Sequence, residues 1–182
     1  SNGPSRTPMK RWSVSVPMSS SKKKKEIVTQ QQGRPARDIV AIASRCPCGK
    51  PDVVSTAPRL SDGTPFPTFY YLTCPALNSA ISTLESEGLM TLMQERLGSE
   101  PLTAAAYASA HERYLAARAA HGEVAEIAGI SAGGMPDRVK CLHVLVGQSL
   151  AQGPGVNPFG DEALAELAER GVLQRRRCLE GQ

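Results

Sequence analysis

From Cys74 onward, apolar residues recur at intervals of three and four. Leu77, Ile81 and Leu84, followed by Leu89, Leu92 and Met93, trace stripes that predict one helix broken near Glu87-Gly88, or two in succession. Gly98-Ser99-Glu100-Pro101 ends that region, and Pro101 opens an alanine-rich helix from Leu102 to about His121. Its expected buried face carries Leu102, Ala106, Tyr107, Ala110, Tyr114 and Leu115. Gly122 is a stop signal, and residues 123–136, with Gly129, Gly133, Gly134 and Pro136, predict a connection. A further helix is expected from Asp137, read as its cap, through Val139, Leu142, Leu145, Val146 and Leu150 to Gly153. After a loop shaped by Pro154, Gly155, Asn157, Pro158 and Gly160, the last helix is expected from about Asp161 to Arg170.

Ahead of Cys74 the pattern shortens. Pro35 suits the opening turn of a helix over Ala36–Ser44, with Ile39, Val40, Ile42 and Ala43 apolar. Val53-Val54-Ser55-Thr56 and Thr68-Phe69-Tyr70-Tyr71-Leu72 are β-favouring runs. The turn-rich stretch between them holds Asp62-Gly63 and three prolines, which predicts a hairpin with a long loop. Together these elements predict an α+β fold in which a β-hairpin or small antiparallel sheet packs against about five to six helices. The expected organisation is a single globular, cysteine-rich domain over 35–170, a disordered basic N-terminal tail over 1–34 and a basic C-terminal tail over 171–182.

Composition fits this division. At 182 residues and 41% apolar, the chain has the material for one ordinary core. Nine of its 21 Lys and Arg fall before residue 38, against Glu26 alone, so the net charge of +4 conceals a basic tail on an acidic body. Lys22-Lys23-Lys24-Lys25, set between serines and glutamines, cannot bury a core and reads as solvated, with nucleic acid or an acidic partner as the alternative contact. No membrane span or cleavable signal is expected, and five cysteines is an odd number. A cytoplasmic location follows as the expectation, where grouped cysteines serve as metal ligands or catalytic thiols more often than as disulfides.

Three of the five cysteines are brought together by topology, and a fourth is expected from a helix start. Cys46 and Cys48 precede the first strand of the hairpin and Cys74 follows the second, so antiparallel pairing returns all three to one end. Pro75 makes Cys74 the expected cap of the next helix, where unpaired N–H groups favour a thiolate. Cys141 falls in the first turns of the helix expected from Asp137 and is the natural fourth ligand. His143 competes for that place, but two helical residues are rotated by about 200°, which turns it away from Cys141 unless the helix begins later and lets His143 swing in. The expected metal ligands are therefore Cys46, Cys48, Cys74 and Cys141, with His143, Arg45, Asp137, Arg138 and Lys140 as outer-shell candidates. Four thiolates suit an iron–sulfur cluster used for redox, sulfur or small-substrate chemistry, and the Cys46-Pro47 and Cys74-Pro75 adjacencies favour it over the second reading, a structural zinc in an adaptor for a cell-division, nucleic-acid or acidic partner. A thiol enzyme using Cys74 or Cys141 is the third reading. His111 and His121 lack zincin spacing, and Cys178 lies among arginines.

Three longer segments carry a family resemblance: Arg45-Cys46-Pro47-Cys48-Gly49, Gly63 through Pro75, and Gly134 through His143. With Gly153 through Pro158, they resemble the bacterial family known as domain of unknown function 501 over roughly residues 36 to 168. The resemblance implies an actinobacterial-type cytoplasmic protein encoded near a septum-formation protein and an exopolyphosphatase-like enzyme. A cell-division or phosphate-metabolism partner is implied in turn, and no activity is. Arg59, Asp62, Tyr70 and Tyr71 extend the charged residues beside the cysteines into an expected substrate-accepting rim. Gly133 through Asp137, leading into a helix, is a weaker candidate for holding a phosphate or carboxylate.

Overall fold

Pro75, Pro101 and Pro158 each sit in the opening turn of a helix, where the absent N–H leaves no hydrogen bond unmade. The computed structural model describes residues 38–173. Within them, strands β1 (Ile39–Arg45), β2 (Pro51–Thr56) and β3 (Tyr70–Leu72) form an antiparallel sheet in the order β1-β2-β3. Helices α1 (Pro75–Ser86), α2 (Leu89–Ser99), α3 (Pro101–Ala119), α4 (Leu142–Gln152) and α5 (Pro158–Glu169) pack against it, giving a single α+β domain. Among the described residues no helix is long and apolar enough to cross a membrane. The expected basic segment 1–34, the terminal arginines and Cys178 lie outside the described residues.

The helix expected over Ala36–Ser44 is a strand where it is described. Ile39, Val40 and Ile42 are β-branched, which lowers their helix preference and suits a pleated surface. β2, buried along its whole length, pairs with only three residues of β3, and β1 supplies its other partner from Ile39↔Thr56 to Arg45↔Pro51. Satisfying those β2 backbone groups outweighs the local helical spacing.

The hydrophobic stripe of α1 is as expected, with Leu77, Ile81 and Leu84 buried, and Gly88 separates it from α2 in a left-handed conformation. On α3, Tyr107, Ala110 and Tyr114 are buried, but Leu102 is 87% exposed and Ala106 faces solvent. The stripe is rotated because His111 and Arg118 join the buried face. The Arg118 guanidinium donates to the carbonyls of Pro67 and Ile127, both at 2.8 Å, and so fastens two connections to α3. The Tyr114 hydroxyl accepts the Phe69 and Tyr70 N–H groups at 2.6 and 3.1 Å, and burial pushes its pKa up to about 12.

The centre of the domain is α4, on which Leu142, Leu145, Val146, Gly147, Gln148 and Ser149 are all buried. Gly147 lets it approach β3 closely: a Cβ there would lie 3.3 Å from the Tyr70 carbonyl oxygen. Gly160 of α5 is tighter still, since an added Cβ would overlap the Leu145 carbonyl and Ser149 Oγ. Gln148 donates to the Ala110 carbonyl at 2.8 Å and accepts from Asn157 Nδ2 at 3.0 Å, so the buried polar atoms also join α3, α4 and the start of α5. Asn157 caps α5 by accepting the Gly160 N–H at 3.0 Å, which moves that helix start ahead of the expected Asp161.

Gly160→Ala is expected to destabilise the protein by about 2 kcal/mol or more, the cost of overpacking a backbone contact. Gly98→Ala, exposed on α2 with nothing within 4 Å of the added carbon, should stabilise it by about 0.5–1 kcal/mol. Urea unfolding of the two variants tests the contrast, and similar effects in both would mean that α4 and α5 do not meet backbone to backbone.

Candidate metal centre

The first three cysteines meet the expectation of a shared end of the sheet. Cys46 begins the β1–β2 turn, which closes through Cys46 N–H to the Lys50 carbonyl at 2.9 Å. Thr73 pairs with Asp52 just before Cys74, so Cys74 leaves β3 beside that turn. Cys46 and Cys74 share the hydrophobic core, whereas Cys48 is exposed. Cys46 and Cys48 are joined as a disulfide, and Cys74, at the N-cap of α1, keeps its thiol in full burial. The guanidinium of Arg45 folds over the turn and donates to the Gly49 carbonyl at 2.9 Å.

Cys141 is placed differently. Asp137 does not cap a helix: it is exposed in a turn, and its carbonyl accepts from Gln94 at 3.2 Å. The loop continues through Arg138, whose carbonyl accepts the Tyr107 hydroxyl at 2.7 Å, and Val139, whose N–H reaches Gln94 Oε1 at 2.9 Å. Lys140 N–H bonds the Gly133 carbonyl at 2.8 Å, and α4 begins only at Leu142. Cys141 is consequently the N-cap, with extended φ and ψ of −151° and 107°. The 200° separation expected from His143 held only for two helical residues, and here one of them is outside the helix.

His143 therefore turns back toward Cys141, with its Nδ1 3.9 Å from Sγ. Glu85, near the end of α1, completes the group: its Oε1 is 3.1 Å from the same Nδ1, and its Oε2 accepts the Leu142 N–H at 3.0 Å. The other ring nitrogen, Nε2, lies 3.2 Å from the Asn78 carbonyl oxygen and 3.2 Å from Ser82 Oγ. A carbonyl oxygen only accepts, so Nε2 carries a hydrogen and Nδ1 is the nitrogen turned to the sulfur and carboxylate. Among the described residues, Glu85, Cys141 and His143 are the one trio of metal-ligating side chains whose donor atoms all lie within 4.8 Å of one another.

The electrostatics follow the geometry. Burial raises the Cys141 thiol pKa, but the His143 ring and the Val144 N–H outweigh it and the net shift is downward. The contact with Cys141 raises the His143 pKa against the effect of burial, with the Glu85 charge and the Asn78 carbonyl adding to the rise. The trio is partly open to solvent: Cys141 is half-buried, and the His143 and Glu85 side chains are 26% and 20% exposed.

Residues 42–165 match the family described as protein of unknown function (DUF501). The chain belongs to the DUF501 family. No curated protein and no solved structure matches the chain. The segment matched to the DUF501 family contains both cysteine settings, His143 and Glu85.

Glu85 is the residue that sequence reasoning missed. Its partner Leu142 is 57 positions away, so no local spacing announces the pair. A signal was nonetheless present: Asn78, Ser82 and Glu85 form a polar stripe at helical spacing, about 100° around α1 from the apolar one. Of the expected rim, Arg138 and Lys140 are exposed on the approach to Cys141. Arg59 and Asp62 lie instead in the β2–β3 loop at the opposite end of the hairpin, where Arg59 pairs with Glu126 at 2.6 Å and Asp62 accepts the Thr64 N–H.

In native protein, iodoacetamide is expected to modify Cys141 while Cys74 resists until the chain unfolds, because Cys74 has no exposed surface. Peptide mass spectrometry reads the order, and equal labelling of the two would contradict the burial of the α1 cap.

Proposed function

We propose that the protein binds a divalent transition metal, zinc by preference, through Glu85, Cys141 and His143. The observation that carries this reading is that one nitrogen, His143 Nδ1, faces both the sulfur and the carboxylate. In a Cys-His-carboxylate relay the base uses opposite ring nitrogens, one for the nucleophile and one for the carboxylate. Here the opposite nitrogen is bound to a main-chain carbonyl, the usual outer support of a metal-ligating histidine. Sulfur, nitrogen and oxygen instead converge on one point, which suits a shared cation.

The distances agree with this. Zinc bonded tetrahedrally to S, N and O ligands sets those atoms about 3.3–3.6 Å apart, close to the observed 3.1 and 3.9 Å. Three protein donors leave a fourth position, as in zinc sites that take water or substrate rather than closed structural ones. Bound zinc would supply Lewis acidity there. Arg138 and Lys140 give its approach positive charge, which favours an anionic small substrate.

An iron–sulfur cluster on Cys46, Cys48, Cys74 and Cys141 is the four-thiolate alternative. It requires reduction of the Cys46–Cys48 pair and withdrawal of Cys141 from His143 and Glu85. The mixed donor set needs neither change, so zinc is preferred. The free thiols of Cys74 and Cys141 fit a cytoplasmic protein, and the basic segment over 1–34 adds a salt-sensitive contact for an acidic partner or nucleic acid.

Full-length protein loaded with zinc and freed of excess is expected to retain one ion per chain by elemental analysis. Cys141→Ser and His143→Ala should each lower affinity at least tenfold, while Cys46→Ser should keep it. A brown protein containing iron and sulfide, or full zinc retention in both site variants, would overturn the proposal.

A further inference from the structure

The β1–β2 turn holds a cysteine pair for which the zinc reading has no use. Its bond spans a sequence separation of two, within a turn already closed by Cys46 N–H to Lys50 O and Gly49 N–H to Cys46 O at 2.9 and 2.8 Å. A structural disulfide stabilises mainly by restraining a long loop in the unfolded chain. A link between next-but-one neighbours restrains almost none, so stability gives little reason for the pair.

Its surroundings suit exchange chemistry. Cys46 is 3% exposed and belongs to the core, whereas Cys48 is open to solvent two residues away. An incoming thiolate therefore reaches one sulfur and not the other. The buried sulfur accepts the Cys48 N–H at 3.2 Å, a contact that favours it as an anion when the bond breaks. Arg45 and Lys50 flank the pair, and the Arg45 guanidinium lies across the same turn. Positive charge beside a thiol lowers its pKa and makes it a better leaving group.

We propose that Cys46 and Cys48 form a redox-active pair that exchanges with thiols, with Cys48 the sulfur attacked. A substrate thiolate bonds to Cys48 Sγ as the Cys46–Cys48 bond breaks, and Cys46 leaves as a thiolate that takes up a proton. A second substrate thiolate then attacks the substrate sulfur of the mixed disulfide. Cys48 departs as a thiolate and is protonated, and the two substrate thiols end joined as a disulfide. The substrate loses two electrons and the cysteine pair gains them. The reverse sequence, with a disulfide substrate, restores the Cys46–Cys48 bond.

The test uses full-length protein with glutathione and glutathione disulfide as probes, reading each cysteine by alkylation and peptide mass spectrometry. Cys46 and Cys48 should pass together between reduced and oxidised forms in native protein as the glutathione ratio changes. Cys46→Ser should trap glutathione on Cys48. Should that buried substitution prevent folding, the exposed variant Cys48→Ser serves instead: its Cys46 should acquire glutathione at least tenfold more slowly than Cys48 reacts in the wild type. Cys48→Ser should also melt within about two degrees of wild type and retain zinc at the other site. The proposal is overturned if the native pair is reduced only under denaturing conditions, if Cys48→Ser melts far lower, or if the reduced pair takes up a second metal ion lost in Cys48→Ser. Each result leaves the Glu85, Cys141 and His143 reading to its own measurement.

Discussion

Two close backbone approaches fix α4 in place. Gly147 admits the β3 carbonyl of Tyr70 on one side, and Gly160 admits the Leu145 carbonyl on the other. Neither contact survives a larger side chain without movement of main chain, and both lie within a closely packed core where such movement is resisted. With α4 wedged between sheet and α5, its first residues have a defined position over α1. Glu85 then accepts the Leu142 N–H, and the Gln94 and Tyr107 side chains hold the loop that delivers Cys141. The location of the candidate metal centre is thus a consequence of packing at Leu145 and Gly147, about 4.5 to 7.5 Å further along the helix at about 1.5 Å per residue from Leu142.

The two cysteine settings differ in chemistry because they differ in what surrounds them. At Cys141 the neighbours are a ring nitrogen and a carboxylate on a second helix, so three kinds of donor meet across α1 and α4. At Cys46 the near neighbour is another sulfur in the same turn, with one of the two withdrawn into apolar core. A convergence of unlike donors suits a cation, and a contiguous pair of like sulfurs suits electron exchange. Grouping the thiols by their number hides that distinction, which depends on the side chains that share each location.

Much of the architecture was legible in periodicity. The α1 stripe, the break at Gly88, the opening of two helices at Pro75 and Pro101 and the β2–β3 hairpin all arise from local pattern, and the structure agrees with each. β1 was not legible, because its spacing also fits a helix and its strand conformation depends on a partner strand whose paired residues lie 6 to 17 positions away. The start of α4 was misplaced for a related reason: Asp137 is a good local cap, but the loop's bonds to Gln94 and Tyr107 move the cap four residues on, to Cys141. That delay changes the site, since it frees Cys141 from helical geometry and allows His143 to reach it. Glu85 entered from another helix altogether, marked only by the polar stripe it shares with Asn78 and Ser82.

Glu85 uses both carboxylate oxygens, one on the backbone of α4 and one toward the histidine and cysteine. An ion held by ligands on α1 and α4 is therefore also a cross-link between two segments far apart in the chain. By mass action, occupancy adds to the free energy of unfolding in proportion to the logarithm of ion concentration over dissociation constant. With the proposed ion bound, the seam between α1 and α4 would be the part of the domain whose opening equilibrium follows the concentration of metal in the surroundings.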